Sequence, residues 1–381
     1  MTSKGEPYRW IVTDFGAQGD GQADDTGAFQ SALDAAGAGR GTVFVPDGTY
    51  LCHDLKLPPH TGLVGNATWG YREGGGSVLK LNDPAAACLL EITGAVGATI
   101  NGLSLHGGHL GASVHGIYMG PNPGKKEEDS PRIERCHIAH FSGDGIRLDP
   151  VWCFSIRSCE VLSNQGSGVY VAGWDGFILD NWLSGNGGAG YFADGPSAAV
   201  TMTGNRIEWN RQGGVRIYGG SHYNITGNFI DRSGGPAISL HPRSGTTPII
   251  PPMTQAGRDE VTPCLCFSIT GNLIYRSGKP EWTTEQYESA HARFVGVHGL
   301  VFSGNSMCVG QDDGSGVNSP EYGLVLQDLV NCVIRGNTLH LGALTALIAD
   351  LGGHGEGVIV ADNVGSVHTE RDKAIWESEE R

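Results

Sequence analysis

The sequence predicts an all-β fold, built as a parallel solenoid of stacked coils. Three observations predict it: a duplicated phrase, short strands in step with that phrase, and a column of asparagines. Met202-Thr-Gly-Asn-Arg-Ile-Glu-Trp209 returns as Ile225-Thr-Gly-Asn-Phe-Ile-Asp-Arg232, a period of about 23 residues, and such self-similarity marks stacked repeats. The strand triplets Gly145-Ile-Arg-Leu-Asp, Gly168-Val-Tyr-Val-Ala, Gly190-Tyr-Phe-Ala-Asp and Gly214-Val-Arg-Ile-Tyr recur at a similar interval. Their alternation sends Ile146, Val169, Tyr191 and Val215 inward. Asn181, Asn205, Asn228, Asn272, Asn305, Asn337 and Asn363 mark one turn of successive coils. Asn tolerates the left-handed turn conformation and can hydrogen-bond its stacked copies.

Composition agrees with a solenoid. The chain has 381 residues, 61 of them glycine, with no G-x-y period that would signal collagen. The net charge of −15 disfavours nucleic acid and anionic membranes as partners. No apolar run approaches the roughly 18 residues of a membrane span. The opening Met1–Tyr8 stretch lacks a signal-peptide pattern. A full-length chain is therefore expected in the cytoplasm, and a secreted one only after removal of a leader. Nine scattered cysteines without a C-x-x-C point to reduced, mostly buried thiols. Cys136 and Cys159, one period apart, are expected to stack inside.

In chain order, Arg9-Trp-Ile-Val-Thr-Asp-Phe-Gly-Ala reads as a strand, and Gln18 to Thr26 as a turn ending in helix-capping residues. Ala28, Phe29, Ala32, Leu33 and Ala36 make one apolar helix face, and Gly37 to Gly41 stop the helix. Thr42 to Leu51 reads as strand, turn and strand. Asp14, Asp20, Asp24 and Asp25 are expected to be turn and cap residues rather than metal ligands. Irregular repeats run from Gly62 and regular ones from Cys136. Insertions at Pro242–Cys264, Lys279–Arg293 and Val309–Tyr322 leave the solenoid, as loops that wall a groove do. The expected divisions are a cap at 1–60, a solenoid at 61–365 and a charged tail at 366–381.

The segment Val12-Thr-Asp-Phe-Gly-Ala-Gln-Gly-Asp-Gly-Gln-Ala-Asp-Asp-Thr, followed by Gly41-Thr-Val-Phe-Val-Pro-Asp-Gly-Thr-Tyr, resembles the opening of the pectate-lyase-like superfamily. That superfamily includes rhamnogalacturonases, family 28-related glycoside hydrolases and phage tailspike depolymerases. The resemblance implies a right-handed, single-stranded parallel β-helix with an N-terminal capping helix. It also implies activity on poly- or oligosaccharides and a homotrimer. A terminal plug is needed because an open first coil exposes apolar side chains and an unpaired strand edge.

Candidate chemistry centres on Glu208 and Asp231, which fall in register one period apart. With Ile207 and Ile230 inward, both carboxylates are expected to project outward on rungs about 4.8 Å apart. Splayed side chains then span the roughly 5–5.5 Å of retaining glycosidases and the roughly 6.5–9.5 Å of inverting ones. Like charges this close would raise one pKa and create an acid–base pair. Neighbouring rungs carry Ala139, Leu162, Ser184 and Tyr275 at the same position, so the acids are confined to two rungs. A second outward column holds Asp194, Tyr218 and His241, with Arg216 beside it. Trp209, Tyr218 and Trp182 offer faces for sugar rings, a buried aromatic ladder being an equally good reading of the two tryptophans, and Tyr275 is a further substrate-binding candidate. From Asn205 to Arg243 two acids meet five arginines, among them Arg216, Arg232 and Arg243, a strip suited either to an anionic substrate or to pairing with the two acids and fixing their geometry.

The leading expectation is a glycoside hydrolase with Glu208 as acid, Asp231 as base or nucleophile and Asp194 and His241 assisting. It needs no cofactor. The alternatives are a lyase, which would bring a calcium requirement, or an intramolecular fructotransferase on the same groove, or a non-catalytic carbohydrate-binding β-helix. The polygalacturonase pattern of the superfamily is not matched: its Asp-Asp position reads Gln212-Gly213. Inulin fructotransferases show a weaker similarity around Asn205 to Glu208.

Overall fold

The protein is described by a computed structural model that covers residues 10–123, 127–244, 261–279, 283, 285–311, 317–318 and 320–367. The tail from Glu370, Trp282, and most of the Pro242–Cys264 and Val309–Tyr322 insertions lie outside the described residues. The chain divides into two compact units, Met1–Trp182 and Leu183–Arg381. Both are built from parallel β coils, and the described residues are almost entirely β-strand and turn.

In the first unit, Tyr50, Leu79, Leu105, Ile138 and Val161 stack in register on successive parallel strands. A second column runs Val43, Leu63, Ile100, Ile133, Ile156. The α-helix Thr26–Gly39, the one α-helix among the described residues, buries Phe29, Ala32, Leu33 and Ala36, with Phe29 edge-on to Tyr50 at 5.1 Å. Ala28, expected on that face, is only half-buried. The acids of the preceding turn are structural. Asp25 accepts the Gln18 and Gly19 amides, and Asp24 accepts that of Thr26. Cys136 and Cys159 are buried, with the Cys136 amide 3.5 Å from Cys159 Sγ.

In the second unit each coil contributes one inward residue to each of three columns. These run Ile207, Ile230, Ile274, Met307, Leu339; then Val215, Ile238, Ala292, Leu324; and Met202, Ile225, Ile269, Phe302, Ile334. All are buried, and burying one such side chain is worth about 1.5–3 kcal/mol. Ile146, Val169, Tyr191 and Val215 point inward as expected.

The asparagine column is a hydrogen-bonded ladder. Asn205 donates to Asn228 at 2.9 Å, then Asn228 to Asn272, Asn272 to Asn305 and Asn305 to Asn337 at 3.0 Å each. The left-handed residue is not the asparagine but the one before it. Gly204, Gly227, Gly271, Gly304 and Gly336 have φ between 65° and 70°. Glycine adopts that conformation without strain, and the asparagine following it is free to turn inward onto the ladder. Two insertions leave the coils on short antiparallel stems, Arg243–Ser244 with Val261–Thr262 and Gly310–Gln311 with Val317–Asn318.

Candidate active site

The ten residues singled out by sequence fall into two groups on different sheets, both within Leu183–Arg381. The first lies along the three-residue strands Arg206–Glu208, Phe229–Asp231 and Leu273–Tyr275. Glu208 and Asp231 are register partners, as expected. Their accessibility is not as expected, and the reading of an open carboxylate pair is corrected. Glu208 is 4% and Asp231 1% exposed. Arg276 grips Asp231 through two bonds, Nε to Oδ1 at 3.0 Å and a terminal nitrogen to Oδ2 at 2.7 Å. Arg232 donates to the same Oδ2.

The cause is local. Trp209, Arg232 and Arg276 each follow a strand end in the left-handed conformation, with φ of 60°, 50° and 48°. The chain turns sharply there, and the arginines close over the acids. Arg232 lies 4.4 Å above the Trp209 ring, and Arg276 4.1 Å above that of Tyr275. Trp209 and Tyr275 thus carry guanidinium groups on their faces. Glu208 accepts from Arg206 Nε at 2.9 Å.

The second group lies along the strands Ala189–Asp194, Gly213–Tyr218 and Ile238–His241. Asp194, Tyr218 and His241 occupy the last position of each. Asp194 pairs with Tyr218 in register, and Tyr218 with His241. Tyr218 meets the His241 ring edge-on at 5.3 Å and Phe192 at 5.6 Å. Arg216, two residues before Tyr218 and therefore on the same outward face, donates to the Tyr218 hydroxyl at 2.6 Å. Arg243 pairs with Asp194 at 2.9 Å.

Two further residues belong here and were missed by sequence reasoning: Glu288 and Arg293, within the Lys279–Arg293 insertion. Arg293 is the register partner of Ser239, itself the partner of Arg216, so the two arginines stand two rungs apart in one outward column. The alternation of Ala290-His-Ala-Arg-Phe was the available signal. Glu288 lies 3.4 Å from Arg216 and 3.7 Å from Arg293, and Glu285 lies 3.2 Å from Arg293.

Electrostatics set the state of the histidine. Burial, reinforced by the charges of Arg293 and Arg216, holds the His241 imidazole down at about 3, so it is neutral at neutral pH. Among the described residues, Arg216 Nε, Arg293 Nε and His241 Nε2 are buried with no hydrogen-bond partner. Buried polar groups are usually satisfied, so three in one cluster single out this place as a candidate ligand site. No three His, Cys, Asp or Glu side chains among the described residues are grouped to hold a metal ion.

The first unit holds a polar cluster of its own. Tyr118, Arg147 and Tyr170 form an outward register column, with the Arg147 guanidinium 3.9 Å from the Tyr170 ring centre. Asp144 and Asp149 each hold Arg147 at 3.1 Å.

Comparison with known proteins gives the following. Residues 10–75 match the family model described as rhamnogalacturonase A/epimerase, pectate lyase-like, and residues 144–250 that of a right-handed β-helix region. The mannuronan C5-epimerase AlgE3 of Azotobacter vinelandii is 33% identical over 190 residues, 46% of this chain and 10% of the relative. Alginate lyase 7 of the same organism is 32% identical over 194 residues, 46% of this chain and 22% of the relative. The chain spans between 10% and 32% of the length of its mannuronan C5-epimerase and alginate lyase relatives. Among solved structures, the A-module of A. vinelandii mannuronan C-5 epimerase AlgE4 superposes with a TM-score of 0.69 at 19% identity, covering 94% of this chain and 99% of that one. That likeness speaks for the fold. The pectate-lyase-like, right-handed β-helix resemblance read from the N-terminal motif thus holds in two separate stretches of the chain.

Proposed function

We propose that this chain is a polysaccharide-modifying enzyme that removes the proton next to the carboxylate of a uronic acid unit, the step shared by C5 epimerisation and β-elimination. The observation that carries the proposal is the Arg216–Tyr218–His241 constellation: a neutral imidazole, a phenol that accepts from a guanidinium, and a second guanidinium in the same column. Arginine binds carboxylate by paired hydrogen bonds, and two of them stabilise the enolate that forms when the neighbouring carbon loses its proton.

In this reading His241 takes the proton. Burial first, and then the charges of Arg293 and Arg216, keep its ring neutral and able to accept that proton. The Tyr218 oxygen accepts from Arg216, which leaves its own proton to donate. That proton goes to the carbon from the opposite face in epimerisation, or to the departing glycosidic oxygen in elimination. The 33% likeness to mannuronan C5-epimerases and the 32% likeness to an alginate lyase support the same chemistry.

Glycoside hydrolysis is supported less well. It needs two carboxyl groups open to the scissile bond, whereas both oxygens of Asp231 are held by buried arginines. The test is product analysis on polyuronates in D2O. Deuterium at C5, or an ultraviolet-absorbing unsaturated end, supports the proposal. New reducing ends with neither signature overturn it.

A further inference from the structure

We infer that Glu288 is a specificity-determining placeholder: its carboxylate sits where the carboxylate of the sugar binds, and only an anionic sugar displaces it. The inference rests on the reading of Arg216 and Arg293 as the substrate clamp. Glu288 Oε1 lies against both arginines at once, 3.4 Å from Arg216 and 3.7 Å from Arg293. These are loose contacts. The arginine that locks Asp231 makes two bonds of 2.7 and 3.0 Å to a carboxylate in the same unit. One oxygen shared between two guanidiniums leaves Nε of each buried and unpartnered. A carboxylate entering between them has hydrogen bonds to gain that Glu288 does not make.

The backbone around Glu288 fits exchange. Gln286–Glu288 is a single short 3-10 turn in an insertion, whereas Arg216 and Arg293 stand on strands of stacked coils. The donors are fixed and the acceptor is on the less regular element. Arg293 also keeps Glu285 at 3.2 Å, on a side chain 66% exposed, so departure of Glu288 does not strip it of every anion.

The consequence is discrimination by charge. A uronate replaces one carboxylate by another, and the arginines stay neutralised throughout. A neutral sugar offers nothing to replace Glu288 with, and expelling it would leave the half-buried Arg216 guanidinium without its carboxylate, which is unfavourable. Glu288 therefore acts on affinity and selectivity, and takes no part in proton transfer.

The experiment is calorimetric titration of a mannuronan tetramer, and of a neutral glucan tetramer, into wild type, Glu288→Gln, Arg216→Gln and Arg293→Gln. With Glu288→Gln the uronate should bind more tightly by about threefold or more, the yield of a weak partly exposed ion pair, while either arginine substitution weakens it. Unchanged or weaker binding in Glu288→Gln, with binding still lost in the arginine variants, overturns the placeholder role and leaves the proposed function standing. Wild-type binding in both arginine variants removes the clamp itself, and the inference with it. Tighter binding of the neutral tetramer to match the uronate would contradict selectivity by charge.

Discussion

Arg216 donates to the Tyr218 hydroxyl at 2.6 Å from two residues earlier on the same strand, and this bond ties the charge of the site to its acid. Strand alternation brings both side chains to one face, and rung stacking brings His241 beside them. Tyr218→Phe should remove the proton donor and keep the ring. The expected loss in kcat is about 10²- to 10⁴-fold, with KM for a polyuronate nearly constant. Arg216→Gln should raise KM as well as lower kcat, because it removes substrate anchoring together with the support of Tyr218.

Asp231 is assigned to the framework. Asp231→Asn leaves Arg232 and Arg276, both buried, without their shared counter-charge. Breaking a buried pair in this way costs about 3–5 kcal/mol, and chemical denaturation should show it. Glu208→Gln should keep turnover within a few-fold, since its partner Arg206 is 49% exposed and the site lies on another sheet. Loss of turnover in a folded Glu208→Gln variant would return the chemistry to the acid pair.

The asparagine ladder should be the most sensitive part of the solenoid. Asn272 accepts the amide and side chain of Asn228 and donates to Ile225 and Asn305. Asn272→Ala strands several buried groups at once, each worth about 1–3 kcal/mol when left unsatisfied. A fall in the unfolding midpoint well beyond that of an exposed Asn-to-Ala change is the expected result.

Acid should unfold the protein from below about pH 6.5. Burial holds His291 down at about 3 and His137 at about 4. In the unfolded chain both titrate near 6.5. Between those limits the unfolded state binds protons that the folded state refuses, so stability falls as pH falls. Above about 6.5 both states hold neutral rings and the full stability is present. Thermal melts from pH 8 to pH 5 check the sign, and His291→Phe should flatten the slope if the larger ring is accommodated.

Much of the architecture was legible because it is local or periodic. The 23-residue phrase, the inward Ile146 and Val215, and the turn acids Asp24 and Asp25 all follow from spacing within one coil. So did the outward column of Asp194, Tyr218 and His241, once alternation was applied. The burial of Asp231 was not legible. Its main partner, Arg276, is 45 residues away across an insertion, and the left-handed φ that folds it back belongs to a non-glycine residue that no turn motif announces. Glu288 lies 72 residues from Arg216, on a loop whose register with the coils the sequence does not reveal. Charge counting from Asn205 to Arg243 also pointed to arginines pairing with the two acids, and Arg206 with Glu208 and Arg232 with Asp231 do so.

The central claim is that this constellation moves a proton at the carbon bearing a uronate carboxylate. Its most direct test is incubation of mannuronan and other polyuronates in D2O with wild type and with Tyr218→Phe, followed by NMR and ultraviolet absorbance of the products. The account predicts deuterium at C5 or a new unsaturated end with wild type, and its near loss in Tyr218→Phe. Reducing ends without either signature, or full activity in Tyr218→Phe, would contradict it.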